Sequence, residues 1–440
     1  MSTRHGCGSS FVKKIKEYIQ KTGRLASLMI LTLTMMTTTI PVHAATRKDT
    51  NKKGILLASS MVGNTAVLHE LGVTQITYNL PLSSLTKNGT YPYKYKGTTY
   101  YFNTGTINGY DSLMTRMHAA GISVTMIVLN DWNGGDAALV HPLSRGYGGA
   151  NYYAFNTADQ AGINKLEAIA HFLSDRYSGK MGVIDNWIIG NEANARQEWN
   201  YMSPSTGLNT CAQEYAKALR IFHDAVISRN PQARVYASID HEWSAVDNPS
   251  AHYSGKDFLN AMQAYIAATG NFDYGIAIHP YNVPLYKADT WNVGVHATHT
   301  PDSPYITTAN LDVFTDYISQ PAFLSPTGAV RSVLCSELAF TSIPYGGCYS
   351  NGAVQAAAAS YAYLAAESNQ HIDGIFLQEM DSPLEIASSG IAGGLMNTNG
   401  QKKPAYAAYA GINNPKTRNA IVRAMNVAAG KDLLQTIVAR

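Results

Sequence analysis

Residues 183–192 read VIDNWIIGNE. Trp187, Ile188 and Ile189 are bulky and apolar in succession, and a strand gains by hiding all three only when both of its faces are covered. That is the pattern of a parallel sheet, because a strand with one face in water alternates apolar and polar residues. The run ends at Gly190, Asn191 and Glu192. A carboxylate at the end of a buried strand is unfavourable unless it is paired, hydrated or used. The stretch therefore poses a question of fold and a question of chemistry together.

The same pattern recurs along the chain. GILLASS (54–60), VTQITYNL (73–80), ISVTMIVLND (122–131), ARVYASID (233–240), FDYGIAIH (272–279), RSVLCSE (331–337) and IDGIFLQE (372–379) are continuous or nearly continuous apolar runs. Helical periodicity fills most of the gaps. In GYDSLMTRMHAA (109–120), Leu113, Met117 and Ala120 share one face and Gly121 acts as a stop. Residues 161–176, 210–229, 256–269, 307–319 and 351–368 behave similarly, and 65–72 supports a short helix. Eight strands alternating with helices predict an α/β fold of the (β/α)8 TIM-barrel type over residues 54–412. The competitor is a doubly wound open sheet. It would be favoured by a Gly-rich phosphate turn after the first strand, where the sequence is ASSMVGNTA, and no dinucleotide or P-loop signature occurs. After the eighth strand KPAYAAYAGI (403–412) supplies helix-forming material, and residues 413–440 are read as a C-terminal helix packed on the barrel.

The flanks and composition bound the function. Lys13, Lys14, Lys16, Lys21 and Arg24 precede the apolar LASLMILTLTMMTTTI, followed by PVHAA, the order of an export signal cleaved after Ala44. Residues 1–44 are thus read as a signal peptide, 45–53 as a polar leader, and the mature protein as secreted or extracellular with no membrane contact. The whole chain has 33 basic and 30 acidic residues; without the signal the balance is 27 to 29, a formal charge of −2. No clustered basic face suggests nucleic acid. Cys211, Cys335 and Cys348 are too sparse for a disulfide scaffold, although one bridge is open to them. No Cys/His spacing resembles a structural zinc site, and neither cofactor nor metal is expected. The chain is expected to be a monomer.

The segments after the strands are long and aromatic: 81–108, 132–158, 193–208, 241–254 and 280–306. Loops at the carboxyl ends of barrel strands build the substrate groove. The strand ends themselves carry Asn79, Asn130, Asp131, Asn191, Glu192, Asp240, His241, His279, Tyr281, Glu337, Gln378 and Glu379. Closure brings these positions around one mouth. Two carboxylates across such a mouth suit glycosidic bond cleavage, one giving a proton to the leaving oxygen and the other acting on the opposite side of the sugar ring.

Asn191-Glu192 in IIGNEAN, His279-Pro280-Tyr281 in IHPY and Glu337 in VLCSELAF resemble the strand-four, strand-six and strand-seven motifs of the retaining clan A (β/α)8 glycoside hydrolases. The chain is similar more specifically to a bacterial family of barrel proteins of unknown function. The resemblance covers roughly residues 54–412 and implies a glycosidase acting on a poly- or oligosaccharide. It implies Glu192 as acid/base, Glu337 as nucleophile, Asn191 on a sugar hydroxyl, Tyr281 donating to Glu337, and His279 close by. Two departures stand out: Asn79 replaces a frequent strand-two Arg, and Gln378 and Glu379 replace a frequent strand-eight Trp.

Further expectations concern the groove. Apolar surroundings and a facing Glu337 should raise the affinity of Glu192 for a proton. Asn130 and Asp131 line the glycone pocket, and Gln378 and Glu379 bind hydroxyls. Trp132, Trp199, Trp243 and Trp291 are platforms on which a pyranose stacks, and Tyr147, Tyr152, Tyr153 and Tyr201 extend the groove. A non-catalytic carbohydrate-binding barrel is one alternative. A metal-dependent hydrolase using Asp131, Asp240, His241 and His279 is another, weakened by the absence of a ligand in GILLASS.

Overall fold

A computed structural model describes residues 51–132, 136–179 and 182–440. The signal expected over 1–44 lies outside the described residues. Eight parallel strands close into a barrel in chain order: β1 Lys53–Leu56, β2 Gln75–Pro81, β3 Ser123–Leu129, β4 Asn186–Ile189, β5 Arg234–Ile239, β6 Gly275–Ile278, β7 Val333–Leu338 and β8 Ile372–Gln378. β8 pairs with β1, Lys53 opposite Ile375. The helices that follow them are α1 Thr65–Leu71, α2 Thr104–Ala119, α3 Gln160–Arg176, α4 Leu208–Arg229, α5 Gly255–Thr269, α6 Leu311–Ile318, α7 Gly352–Glu367 and α8 Pro404–Gly411. The expected C-terminal helix is α9 Pro415–Ala429, which packs on α7. The (β/α)8 barrel is thereby established.

The three apolar residues of NWIIGNE now have separate duties. Trp187 and Ile189 face outward into the shell between strands and helices, while Ile188 faces the barrel interior. Ile127, Leu129, Tyr236, Ala277, Leu334 and Phe376 fill that interior with it. The aromatic rings fit because the neighbouring strands carry glycine. A Cβ on Gly54 would lie 2.4 Å from the Phe376 ring, and one on Gly275 would lie 2.4 Å from the Tyr236 ring.

Local chemistry explains the helix starts. The Asn103 side chain accepts from the Thr106 N–H, so α2 begins at Thr104, five residues before the apolar periodicity suggested. Asp159, Ser254 and Asn351 cap α3, α5 and α7 in the same way. The loop 81–108 departs from expectation. It folds into a short helix, Leu82–Thr86, and an antiparallel hairpin of Tyr91–Tyr95 with Thr98–Phe102. Tyr91, Tyr93 and Phe102 pack against Phe172 of α3, so this aromatic loop covers a helix rather than a sugar. Cys211, Cys335 and Cys348 are all free thiols. Among the described residues no helix is long and apolar enough to cross a membrane.

Candidate active site

The turn after β4 is backbone-strained at the acid itself. Gly190 has φ +77° and Glu192 has φ +37°, a left-handed conformation that non-glycine residues seldom adopt. β5 holds the turn in place: the Glu192 N–H donates to Ser238 Oγ at 2.9 Å and the Ala193 N–H to the Ser238 carbonyl at 2.9 Å. The turn aims the Glu192 side chain at the end of β6, where its Oε1 meets His279 Nδ1 at 2.7 Å. Half-buried Asn191 beside it makes no side-chain hydrogen bond to any described residue, so its amide is open to a ligand.

β7 supplies the second acid through an irregularity. Leu334 faces inward, whereas Cys335 and Leu338 both face the outer shell, and the register against β8 shifts between Cys335 and Leu338. An odd separation between two outward residues requires a bulge. The bulge leaves Glu337 at the mouth, where Oε1 accepts the Tyr281 hydroxyl at 2.8 Å.

Protonation follows from these pairings. Burial pushes Glu192 upward, but the His279 hydrogen bond and the charges of His279, His241 and His252 outweigh it, and its value falls below the usual carboxylate range. Burial works to lower His279, yet the charge of Glu337 and its contact with Glu192 raise it overall. The apolar surroundings and the facing Glu337 were expected to raise the affinity of Glu192 for a proton; its contact with His279 lowers that affinity instead. Burial, the Glu337 charge and the hydrogen bond to Glu337 raise Tyr281 well above its ordinary value, so it stays a phenol and a donor. Asp240, beside Glu192, is also raised well above the usual range, by burial and then by the Glu192 charge.

The other expected residues divide. Tyr152 packs on the barrel interior from above and is pushed up to about 12 by burial, then by the charges of Glu337 and Asp131, which places it in the mouth. Trp199 lies against it, with centroids 5.5 Å apart. Trp132, 44% exposed, lines a hollow of about 180 Å³ with Arg145, Tyr147 and Tyr153. Tyr147 stacks on Tyr201 at 4.2 Å. Gln378 faces inward, and its Nε2 donates to Glu385 Oε2 at 2.6 Å.

Several expectations are corrected. Asn130 is buried and spends its amide on the carbonyls of Leu139, Tyr153 and Ala154, holding a loop rather than a sugar. Asp131 is tied to the Ser83 N–H and hydroxyl. Trp243 is 1% exposed, donates to the Pro301 carbonyl, and packs against Phe314 and Tyr317 in the shell. Trp291 lies edge-on to Tyr361 of α7. Glu379 is fully buried at the β1–β8 seam, one oxygen accepting the Ala58 N–H. The metal set Asp131, Asp240, His241 and His279 is not assembled. Among the described residues the group that converges is Asp240, Glu242 and His252.

One mouth residue escaped the sequence reading. Glu385 lies in the first turn of the short helix Pro383–Ser389 beyond β8, close enough to Glu337 for the two charges to interact. Its carboxyl is raised, chiefly by burial. Nothing in its local sequence marks it, and only the return of the chain over β7 brings it there.

Paired glutamates at the carboxyl ends of β4 and β7 of a (β/α)8 barrel define the class of architecture. The chain belongs to a family of unknown function, DUF5722, whose model matches residues 45–436. No curated protein matches. Solved structures share the fold at low identity. A family 39 glycoside hydrolase from the gut symbiont Bacteroides cellulosilyticus WH2 aligns with TM-score 0.54 and 17% identity over 83% of this chain, which spans 64% of that one. A hyperthermophilic β-glucosidase from Pyrococcus furiosus aligns with TM-score 0.55 and 10% identity, covering 86% of this chain and 88% of its own. An exo-β-1,4-mannosidase from Opitutaceae bacterium strain TAV5 gives 0.52 and 12%, covering 87% and 63%.

Proposed function

We propose that the protein is an exported glycoside hydrolase that cleaves O-glycosidic bonds of a poly- or oligosaccharide with retention. One observation carries the reading. The end of β6 hydrogen-bonds both strand-end acids, Glu192 through His279 at 2.7 Å and Glu337 through Tyr281 at 2.8 Å. A shared clamp of this kind orients two carboxyl groups toward one gap.

In the first step Glu337 attacks the anomeric carbon, the bond to the leaving oxygen breaks, and that oxygen takes a proton from Glu192. That proton reaches Glu192 from His279 along their hydrogen bond, so the pair stores it, and the step ends with Glu192 ionised beside a neutral imidazole. In the second step Glu192 takes a proton from the water that attacks the anomeric carbon, and Glu337 leaves. Tyr281 steadies the Glu337 charge between the steps. Asn191 holds a hydroxyl next to the reacting carbon, and Tyr152 and Trp132 offer ring faces. The activities of the fold neighbours support β-glucosides and β-mannosides as the first substrates to try.

Glu192→Gln is expected to lower kcat/KM by at least about 10³-fold while leaving the fold and sugar binding intact. Proton NMR of the first product formed should show the anomeric configuration of the substrate. Inverted product, or full activity in Glu192→Gln, rejects the mechanism. Sugar binding by the wild type without turnover would instead favour the non-catalytic barrel.

A further inference from the structure

Beside Glu192 lies a polar cluster that the proposed chemistry does not use. Asp240 directly follows β5, Glu242 and His252 belong to the same loop, and Glu198 approaches from the loop after β4. Asp240 and Glu242 are 8% and 4% exposed. Each has one oxygen fixed. Asp240 Oδ1 accepts from Asn194 Nδ2 at 2.7 Å and from the Glu242 N–H at 2.8 Å. Glu242 Oε1 accepts from the Asp247 N–H at 3.1 Å. The second oxygen of each is left for another partner: Glu242 Oε2 lies 3.1 Å from His252 Nδ1, and Asp240 Oδ2 has no hydrogen bond to any described residue. His252 is oriented from behind, its Nε2 2.6 Å from Glu198 Oε2.

We propose that Asp240, Glu242 and His252 bind a divalent transition-metal ion of the zinc type. One ligand atom from each lies within 4.8 Å of the others. A tetrahedral ion with bonds of about 2.0–2.2 Å separates its ligand atoms by roughly 3.4 Å, so small side-chain rotations suffice. The Glu198–His252 contact is the carboxylate–imidazole arrangement that fixes the orientation of a metal-bound histidine. Two carboxylates and a neutral imidazole balance a divalent charge. An imidazole in the set favours zinc-like ions over calcium or magnesium, which take oxygen ligands. The ion would tie the loop after β4 to the loop after β5 and place a positive charge next to Glu192.

The competing arrangement is a metal-free triad in which an imidazolium bridges Glu242 and Glu198. Untagged protein stripped with a chelator and titrated with ZnCl2 in a calorimeter decides between them. One site per chain of micromolar or tighter affinity is expected, with a rise in Tm of a few degrees and a visible absorption band when Co2+ replaces Zn2+. His252→Ala and Glu242→Gln should each weaken binding at least about 100-fold. Anomalous diffraction from Zn2+-soaked wild-type crystals should place the ion among the three side chains, a readout that survives if the variants fail to fold. No binding up to 1 mM Zn2+, unchanged affinity in both variants, or an ion located elsewhere overturns the proposal. Because binding is read without turnover, this result is separate from the fate of the glycosidase reading.

Discussion

At the scale of single residues the Glu192–His279 pair is the central feature, and its two shifts have opposite consequences with pH. Glu192 is lowered from 4.5, so its contribution to stability is present above that value and lost as pH falls through its lower folded one. His279 is raised from 6.5, so its contribution is complete below 6.5 and lost as pH rises through its higher folded value. The pair therefore stabilises most between about pH 4.5 and 6.5. Urea denaturation of wild type and His279→Asn should give the largest difference in that window and smaller ones on either side. Tyr281 makes a simpler case. Tyr281→Phe removes a donor to a buried-edge carboxylate without changing shape, and should lower kcat about 10–100-fold with little change in KM. Steady-state kinetics test this, and a loss confined to KM would assign Tyr281 to substrate binding instead. Glu192, Glu337, His279 and Tyr281 were all legible as a spaced set, because each ends a recognisable apolar strand. The proton distribution was not, since it depends on a 2.7 Å contact between residues 87 positions apart.

At the scale of elements, strand alternation decides which end residues reach the mouth. Gln378 turns inward and Glu379 outward, into the seam between β1 and β8. Glu379 Oε1 has no hydrogen-bond partner among the described residues, and burial pushes the carboxyl up from 4.5 to about 7. The native state thus holds this proton more tightly than the unfolded chain. The associated stability is complete below pH 4.5 and is lost as pH rises through about 7. Glu379→Gln should match wild type at pH 4.5 and exceed it by about 3–4 kcal/mol at pH 8, at roughly 1.4 kcal/mol per pKa unit between 4.5 and about 7. Equal stabilities at pH 8 would mean that water or a counter-charge already relieves the group. The aromatic loops show the reverse limit of sequence reading. Trp132, Trp243 and Trp291 all follow strands, yet Trp132 faces solvent and the other two pack against helices. Loop composition does not encode which way a ring points; the packing partners, Phe314, Tyr317 and Tyr361, come from distant segments.

At the scale of the whole molecule, the barrel exists only if its first and last strands meet, and those strands lie more than 300 residues apart. The closure is legible in the sequence only as a count of eight strands; the groups that secure it are not, because they come from α8, beyond the barrel's own pattern. Tyr409 of α8 is fully buried, and its hydroxyl lies 3.1 Å from the Gly54 carbonyl, 3.3 Å from the Gly54 N–H and 3.3 Å from the Ile375 carbonyl. Lys53 Nζ adds bonds to the Leu71 and Ala410 carbonyls and to Asn413 Oδ1. β1 and β8 are thus clasped from one helix, while Glu379 and the Ala58 N–H clasp them again near the mouth. If this seam couples the two halves of the chain, Tyr409→Phe should act on both strands rather than on its own helix. The loss of one buried hydroxyl predicts about 1–2 kcal/mol of destabilisation. Native-state hydrogen exchange should show the protection of β1 and β8 amides falling together by that amount, with the amides of β4 and β5 less affected. A loss of protection confined to α8 would mean that the barrel closes without its clasp, through the Lys53–Leu56 ladder alone.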